Sequence, residues 1–265
     1  MTSDLRLHYD DSFYATFGDR SRQSAAAVIP IVNQILRPAS ILDVGCGTGG
    51  WLAVWASHGV TDILGIDGPH VDASAVETDV VRFEPVDLRN PFVLGRKFDL
   101  VQSLEVAEHL DEQFADQFVE SLTRHAETVL FSAAVPGQGG FHHVNEQWPS
   151  YWVSRFASQG YRVFDVIRPA IWADAQVEFW YRQNMLLFSR VLDLPPTNPC
   201  LDLVHPELWA QRAEPSPLTL RQLLADMPTA VRDAARWRGR RAANRMIRAA
   251  GLVSAHRTDR TKPIA

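Results

Sequence analysis

The chain has 265 residues, 46% of them hydrophobic, with a net charge of −5 and only two cysteines. That is enough apolar mass for one sizeable core with an appendage, and no run reaches the roughly 18–20 apolar residues that a membrane span requires. Cys46 and Cys200 form neither a zinc pattern nor a disulfide framework, and the first twenty residues lack the basic-then-apolar order of a secretory leader. The expected compartment is therefore the cytoplasm.

Charge is distributed unevenly. Residues 228–265 hold nine Arg, one Lys and two Asp, which leaves the preceding 227 residues at −13. An Arg-rich tail of this kind either binds a nucleic-acid backbone or docks on an acidic surface of its own or a neighbouring chain. The acidic body favours the second, with a homo-oligomer formed through the tail and nucleic acid an unlikely partner.

In chain order, residues 11–36 read as one or two helices ending before Pro38. Phe13, Tyr14 and Phe17 on that segment are candidates for a lid, or else for helix packing. Then apolar runs alternate with helical segments. "SILDVG" (40–45) is the first, followed by a glycine loop and a helix that stops at Gly59. "DILGID" (62–67), "VVRFEPVDL" (80–88) and "FDLVQSL" (98–104) follow, with an amphipathic helix over about 111–126. "TVLFSAA" (128–134) is the fifth, and a helix occupies about 149–159. "YRVFDVI" (161–167) and "NMLLFSRVL" (184–192) are close enough to pair antiparallel at an edge. Strands separated by such helices indicate a parallel, doubly wound sheet with its ligand loops at one edge. "DLPPTNPC" (193–200) marks the end of the core. The expected division is an N-terminal helical lid over 1–37, a core over 38–194 and a helical basic extension over 195–265.

The loop "ILDVGCGTGG" (41–50) satisfies two glycine patterns, one for dinucleotides and one for S-adenosylmethionine. In either, the glycines let backbone N–H groups approach the ligand closely. An acid just ahead of them, Asp43, would repel a pyrophosphate but suits an ammonium group. Asp67 ends the second strand, where it suits ribose hydroxyls, and Asp87 follows the third, where it suits an adenine amino group. Acids at three successive strand ends favour a cationic cofactor, and so methyl transfer over hydride transfer.

Together, "LDVGCGTG", "GID", "VDL" and "FDLVQSLEVAEHL" resemble the class I S-adenosylmethionine-dependent methyltransferases over about residues 38–192. The resemblance implies a Rossmann-like doubly wound sheet of seven strands with an antiparallel last strand. It places Asp43, Gly45, Gly47 and Gly49 at the methionine end of the cofactor and Asp67 with Gly68 at the ribose. Asp87 with Leu88 would lie at the adenine, and Leu104 against the cofactor after the fourth strand.

The acceptor is narrowed by what is missing. No Asn/Asp-Pro-Pro-aromatic string follows the fourth strand, as amino methylation of DNA bases would require, and no Pro-Cys nucleophile is present. Instead there is "SLEVAEHL". If Glu105 begins a helix, Glu108 and His109 lie on its face at i+3 and i+4, where two carboxylates and an imidazole suit Mg²⁺ or Mn²⁺. Downstream, "GGFHHVNEQWPSYW" presents His142 and His143. The combination resembles the metal-dependent O-methyltransferases of ubiquinone biosynthesis and those that methylate the 2′-hydroxyl at RNA 3′ ends. That resemblance implies an ion held by Glu105, Glu108, His109 and His143. Against it stands a purely structural role, in which E-x-x-E-H-L packs the helix after the fourth strand. His143, with His142 beside it, is the candidate base or ligand, and Asn145 reads as the N-cap of the next helix with Glu146 in its first turn. Between the last two strands, Trp172, Trp180, Tyr181 and Arg182 either form an acceptor wall or a hydrophobic plug.

The reading is an S-adenosylmethionine-dependent O-methyltransferase acting on a small polar acceptor, sugar-like or a natural product. The alternatives are an RNA ribose 2′-O-methyltransferase, an N-methyltransferase on an amino sugar or amine, and a cofactor-binding scaffold without turnover.

Overall fold

The computed structural model describes residues 11–71, 82–194 and 200–213, and the side chains from residue 19 onward within them. The lid candidates Phe13, Tyr14 and Phe17 lie outside the described side chains, and the Arg-rich tail lies outside the described residues.

A single helix, α1 (Asp11–Leu36), runs through Pro30 and precedes β1 (Ser40–Val44). There follow α2 (Gly50–Ser57), β2 (Asp62–Asp67), β3 (Arg82–Pro85) and β4 (Leu100–Leu104). Two 3₁₀ turns, Ala107–His109 and Glu112–Phe114, lead into α3 (Ala115–His125) and β5 (Thr128–Ser132). Next come α4 (Pro149–Ser158), β6 (Arg162–Phe164), α5 (Arg168–Ile171), α6 (Phe179–Asn184), β7 (Leu186–Ser189) and α7 (Pro206–Ala213).

The seven strands form one sheet in the order β3-β2-β1-β4-β5-β7-β6. Pairings among β1 to β5 are parallel, and β7 runs antiparallel to both β5 and β6. The expected sheet, including its inverted last strand, is therefore present, with β7 inserted between β5 and β6.

Strand side chains alternate faces, and helices cover both. Leu42, Leu64, Val101, Val129 and Phe188 join the core on one face with Phe118, Leu122 and Trp152. Their neighbours Ile41, Ile63, Leu100, Leu130 and Leu187 join the opposite core with Val28, Ile29 and Trp55. The continuous apolar runs in the sequence thus report strands buried on both sides. On α3 the same logic acts at helical period: Phe118, Val119 and Leu122 are buried, while Glu120 and Arg124 pair on the outside at 2.6 Å. No helix among the described residues is long and apolar enough to cross a membrane.

The strand order reverses between β1 and β4, and that switch point opens a crevice beyond the carboxyl ends of the strands. The site residues gather there.

Candidate active site

A cavity of about 770 Å³ occupies the crevice. Its floor is the loop after β1. Gly45 N–H and Cys46 N–H both donate to Ile66 O, at 2.8 and 3.2 Å, which draws the loop against the end of β2. Gly45, Gly47 and Gly49 all have positive φ. At Gly45 the need is also steric, since a Cβ there would stand 2.3 Å from Val106 Cγ2. Gly49 caps α2 with φ of +82° and does not line the cavity, whereas Asp43, Gly45, Gly47, Asp67, Gly68, Asp87, Leu88 and Leu104 do.

Two buried acids flank the loop. Asp43 is 4% exposed, and burial pushes its carboxyl up to about 7, with the help of Asp67 and against the pull of the nearby Gln102 amide. Asp67 accepts Gly47 N–H at 2.7 Å and Gly68 N–H at 2.6 Å, and burial raises it too. Placing two carboxyls side by side in a dry site is unfavourable unless a cation arrives. Among the described residues that line the cavity, the only Lys or Arg is Arg89. It is engaged by Asp87 through Nε at 2.8 Å and Nη2 at 2.7 Å, which holds the Asp87 carboxyl below its usual range. The β1 end is thus acidic and dry beside the glycine loop, and at the β2 end the His70 ring stands 3.7 Å from Asp67. The Arg89–Asp87 pair was not foreseen from the sequence, although the two residues stand only two positions apart.

The second half of the cavity departs from expectation at Glu105. It does not begin an α-helix: its φ is +56°, and the only helical element nearby is the 3₁₀ turn at Ala107–His109. A sharp left-handed step off β4 replaces the helical face. Glu105 accepts from Gln138 Nε2 at 2.8 Å and Asn184 Nδ2 at 3.1 Å, so its carboxylate is held by amides from β5's exit loop and α6.

Glu108, His109 and His143 nevertheless converge, each offering one ligand atom within 4.8 Å of the others. Glu108 is fully buried and neither carboxylate oxygen makes a well-formed hydrogen bond, although the Glu105 carboxyl and the backbone N–H groups of Glu108 and Ala134 stand close to it. Burial and the adjacent Glu105 carboxyl push it well above the usual range. Burial and His143 push His109 down to about 4, so its ring stays neutral at physiological pH. The His109 and His143 rings meet edge to face at 5.0 Å. The His142 ring lines the cavity but joins no ligand cluster, and its backbone has φ of +53°.

The loop bearing these histidines is tied at both ends. Val144 N–H and Asn145 N–H donate to Glu108 O at 2.9 and 3.0 Å. Asn145 is thus a buried loop residue and not the expected N-cap; α4 begins at Pro149 with Trp148 in that position. Glu146 is not in a helix either. It accepts from Gly137 N–H, Gly139 N–H and His143 Nδ1–H, at 2.8, 2.6 and 2.9 Å. From the sequence it is expected in the first turn of that helix, although the H-x-x-E spacing beside glycines is a local signal for this role.

Of the four residues expected at the acceptor wall, Trp180 and Tyr181 line the cavity. Tyr181 is buried, with its hydroxyl 3.2 Å from Ser21 Oγ of α1. Trp172 and Arg182 do not line it. Trp172 packs against the His205 ring at 4.7 Å, and Arg182 is drawn to Glu207 of α7 at 2.7 Å. Phe141 and Val144, 42% and 56% exposed, supply an apolar rim in their place.

A family described as a methyltransferase domain matches residues 17–166. Among solved structures, DesVI of Streptomyces venezuelae superposes with a TM-score of 0.54 at 17% identity, covering 68% of this chain and 95% of its own. A sugar N-methyltransferase from a Streptoalloteichus species gives 0.53 at 19% identity, over 68% and 92%. An S-adenosylmethionine-bound amino pentose methyltransferase from Micromonospora echinaspora gives 0.53 at 17%, over 69% and 98%. At such identities the likeness is one of fold. No curated protein sequence matches the chain.

Proposed function

The chain belongs to the class I methyltransferases, which use S-adenosylmethionine, and from that premise we propose that it methylates a hydroxyl of a small, polar, sugar-like or natural-product acceptor with a divalent ion held at Glu108, His109 and His143. The observation that carries this reading is a convergence: the fully buried Glu108 carboxyl, with no well-formed hydrogen bond at either oxygen, lies beside ring nitrogens of His109 and His143. An unpaired buried carboxylate is costly, and a cation at that point would offset the cost. The mixed N/O donor set suits Mn²⁺ at least as well as Mg²⁺. When bound, such an ion lowers the pKa of a coordinated hydroxyl and fixes its lone pair.

The chain's own residues do the rest. Asp43 holds the cationic end of the methyl donor, Asp67 its ribose hydroxyls, and Leu104 packs against it. Phe141, Val144 and Trp180 offer apolar surface to the ring face of an acceptor. The histidine loop positions the hydroxyl for in-line displacement, with His143 as ligand or base and His142, which also lines the cavity, as the alternative base. Glu105, Glu108 and Asp111 line the cavity, where Arg89 is the only Lys or Arg among the described residues and is engaged by Asp87. That offers little basic surface to a nucleic-acid backbone, which favours a small molecule over RNA.

The test is calorimetric titration of Mn²⁺ into metal-free protein saturated with S-adenosylhomocysteine, in wild type and Glu108→Gln. Stoichiometric binding in wild type that is lost in the variant is the expected result. No ion heat in wild type would overturn the metal reading, leaving the loop histidines as the candidate base and an amine acceptor as a near equal.

A further inference from the structure

The loop from Gly137 to Glu146 closes on a single carboxylate. Glu146 Oε2 accepts from Gly137 N–H, and Oε1 accepts from both Gly139 N–H and His143 Nδ1–H. The glycines have φ of +83° and +65°, a backbone shape that turns both amides toward one point. Gly140 leaves room for the imidazole, since a Cβ there would stand 2.2 Å from His143 Nε2. The far end of the loop is fixed independently by the Val144 and Asn145 amides on Glu108 O. His143 and Glu146 have side-chain exposures of only 12% and 19%, so solvent competes weakly for their contact.

A carboxylate can only accept. With Glu146 on Nδ1, the ring proton of neutral His143 sits at Nδ1, and the nitrogen left with a lone pair is Nε2. We infer that Glu146 is a positioning residue: it fixes the tautomer and ring orientation of His143, so that Nε2 is presented beside Glu108 and His109, while clasping the glycine turn that carries the ring. Metal-binding histidines usually lean on such a partner, and losing it typically costs 10–100-fold in ion affinity. The inference rests on the proposed role of His143 as a ligand, yet its central statement, the tautomer, holds with or without an ion.

The experiment is long-range ¹H–¹⁵N NMR of histidine side chains in full-length, metal-free protein at alkaline pH, where the imidazoles are neutral. The His143 signal is assigned by its disappearance in His143→Gln. Wild type is expected to show the Nδ1–H form. Glu146→Ala is expected to shift His143 toward the Nε2–H form preferred by free imidazole side chains, and Glu146→Asp to show a mixture. An Nε2–H tautomer in wild type would overturn the inference whatever the variants do, as would Nδ1–H retained in a folded Glu146→Ala. Mn²⁺ affinity, read by electron paramagnetic resonance, is expected to fall about 10–100-fold in Glu146→Ala while S-adenosylhomocysteine affinity holds. A purely structural clasp would leave the Mn²⁺ affinity of the folded variant unchanged and refute the positioning role. If wild type shows Nδ1–H and yet binds no Mn²⁺, the ion fails and the positioning of His143 by Glu146 stands.

Discussion

Asp43→Asn should make the empty protein more stable while it disables cofactor binding. In the folded chain the Asp43 carboxyl has been pushed from 3.8 to about 7. That corresponds to about 4 kcal/mol of preference for the neutral form. The folded state binds this proton more tightly than the unfolded state does. Stability from this group is therefore complete below about pH 4, declines as pH rises, and is lost once pH passes about 7. Asparagine has the same shape and no charge, so it escapes the decline. Urea unfolding at pH 5 and pH 8 should show a gap in favour of Asp43→Asn that widens to as much as about 4 kcal/mol at the higher pH. Relief of the buried neighbour Asp67 acts in the same direction. Calorimetry with S-adenosylhomocysteine should show wild-type affinity rising with pH toward 8, as the carboxylate that faces the ammonium forms, and little binding in the variant. A gap that does not change with pH, or a wild type more stable than the variant at pH 8, would refute the assignment of Asp43 as a buried acid waiting for a cation.

Two further substitutions probe the frame around the cavity. Gly45→Ala forces a Cβ to 2.3 Å from Val106 Cγ2 at a φ of +84°; urea unfolding should register a loss of about 1–3 kcal/mol from backbone strain plus the clash. Adding Val106→Ala should recover the steric part only, and a single variant as stable as wild type would contradict the geometry. Glu207→Ala removes the acid that pairs with buried Arg182 at 2.7 Å, leaving that guanidinium a long contact to Trp172 O. Allowing for the half-exposed Glu207 carboxylate, the cost should be about 1–2 kcal/mol. Because α7 also sends Arg212 to Gln138 O, hydrogen exchange at Gly137–Gly140 should quicken; unchanged exchange would mean that α7 does not brace the loop.

What the sequence made legible was whatever is periodic or local. Helices on both faces of the sheet bury every position of β4, β5 and β7, so these apolar runs stood out without alternation, whereas β3 is mostly exposed and carries Arg82 and Glu84. Acids at strand ends were legible for a related reason. A carboxylate at or near the carboxyl end of a strand sits beside the crevice, and Asp43, Asp67 and Asp87 all line the cavity. Glu105 defeated the same reasoning, because E-x-x-E-H fits a helical face while the chain turns left-handed there. The amides that hold the turned carboxylate come from Gln138 and Asn184, 33 and 79 residues away. No local pattern predicts partners at that separation. Arg182 misled in the same manner: its partner Glu207 lies in a helix with no evident link to the site.

The buried polar residues that were hardest to read join the two halves of the loop system behind the cavity. Gln138 donates to Glu105, accepts from Asn184 at 2.9 Å, and has its own carbonyl held by Arg212. Gln183 donates to Asn184 Oδ1 at 2.9 Å and accepts His205 N–H at 2.7 Å. This chain of amides runs from the segment after β7, through α6, to the glycine turn and then to the carboxyl beside Glu108. A network of this kind has value only if every member is satisfied, and in it Gln138, Gln183 and Asn184 are all engaged. Glu108 is the contrast, buried with no well-formed hydrogen bond at either oxygen. A fold that satisfies the amides around Glu105 while leaving Glu108 without such a bond concentrates its electrostatic cost at one point. That point faces the histidine loop, where a ligand can relieve it.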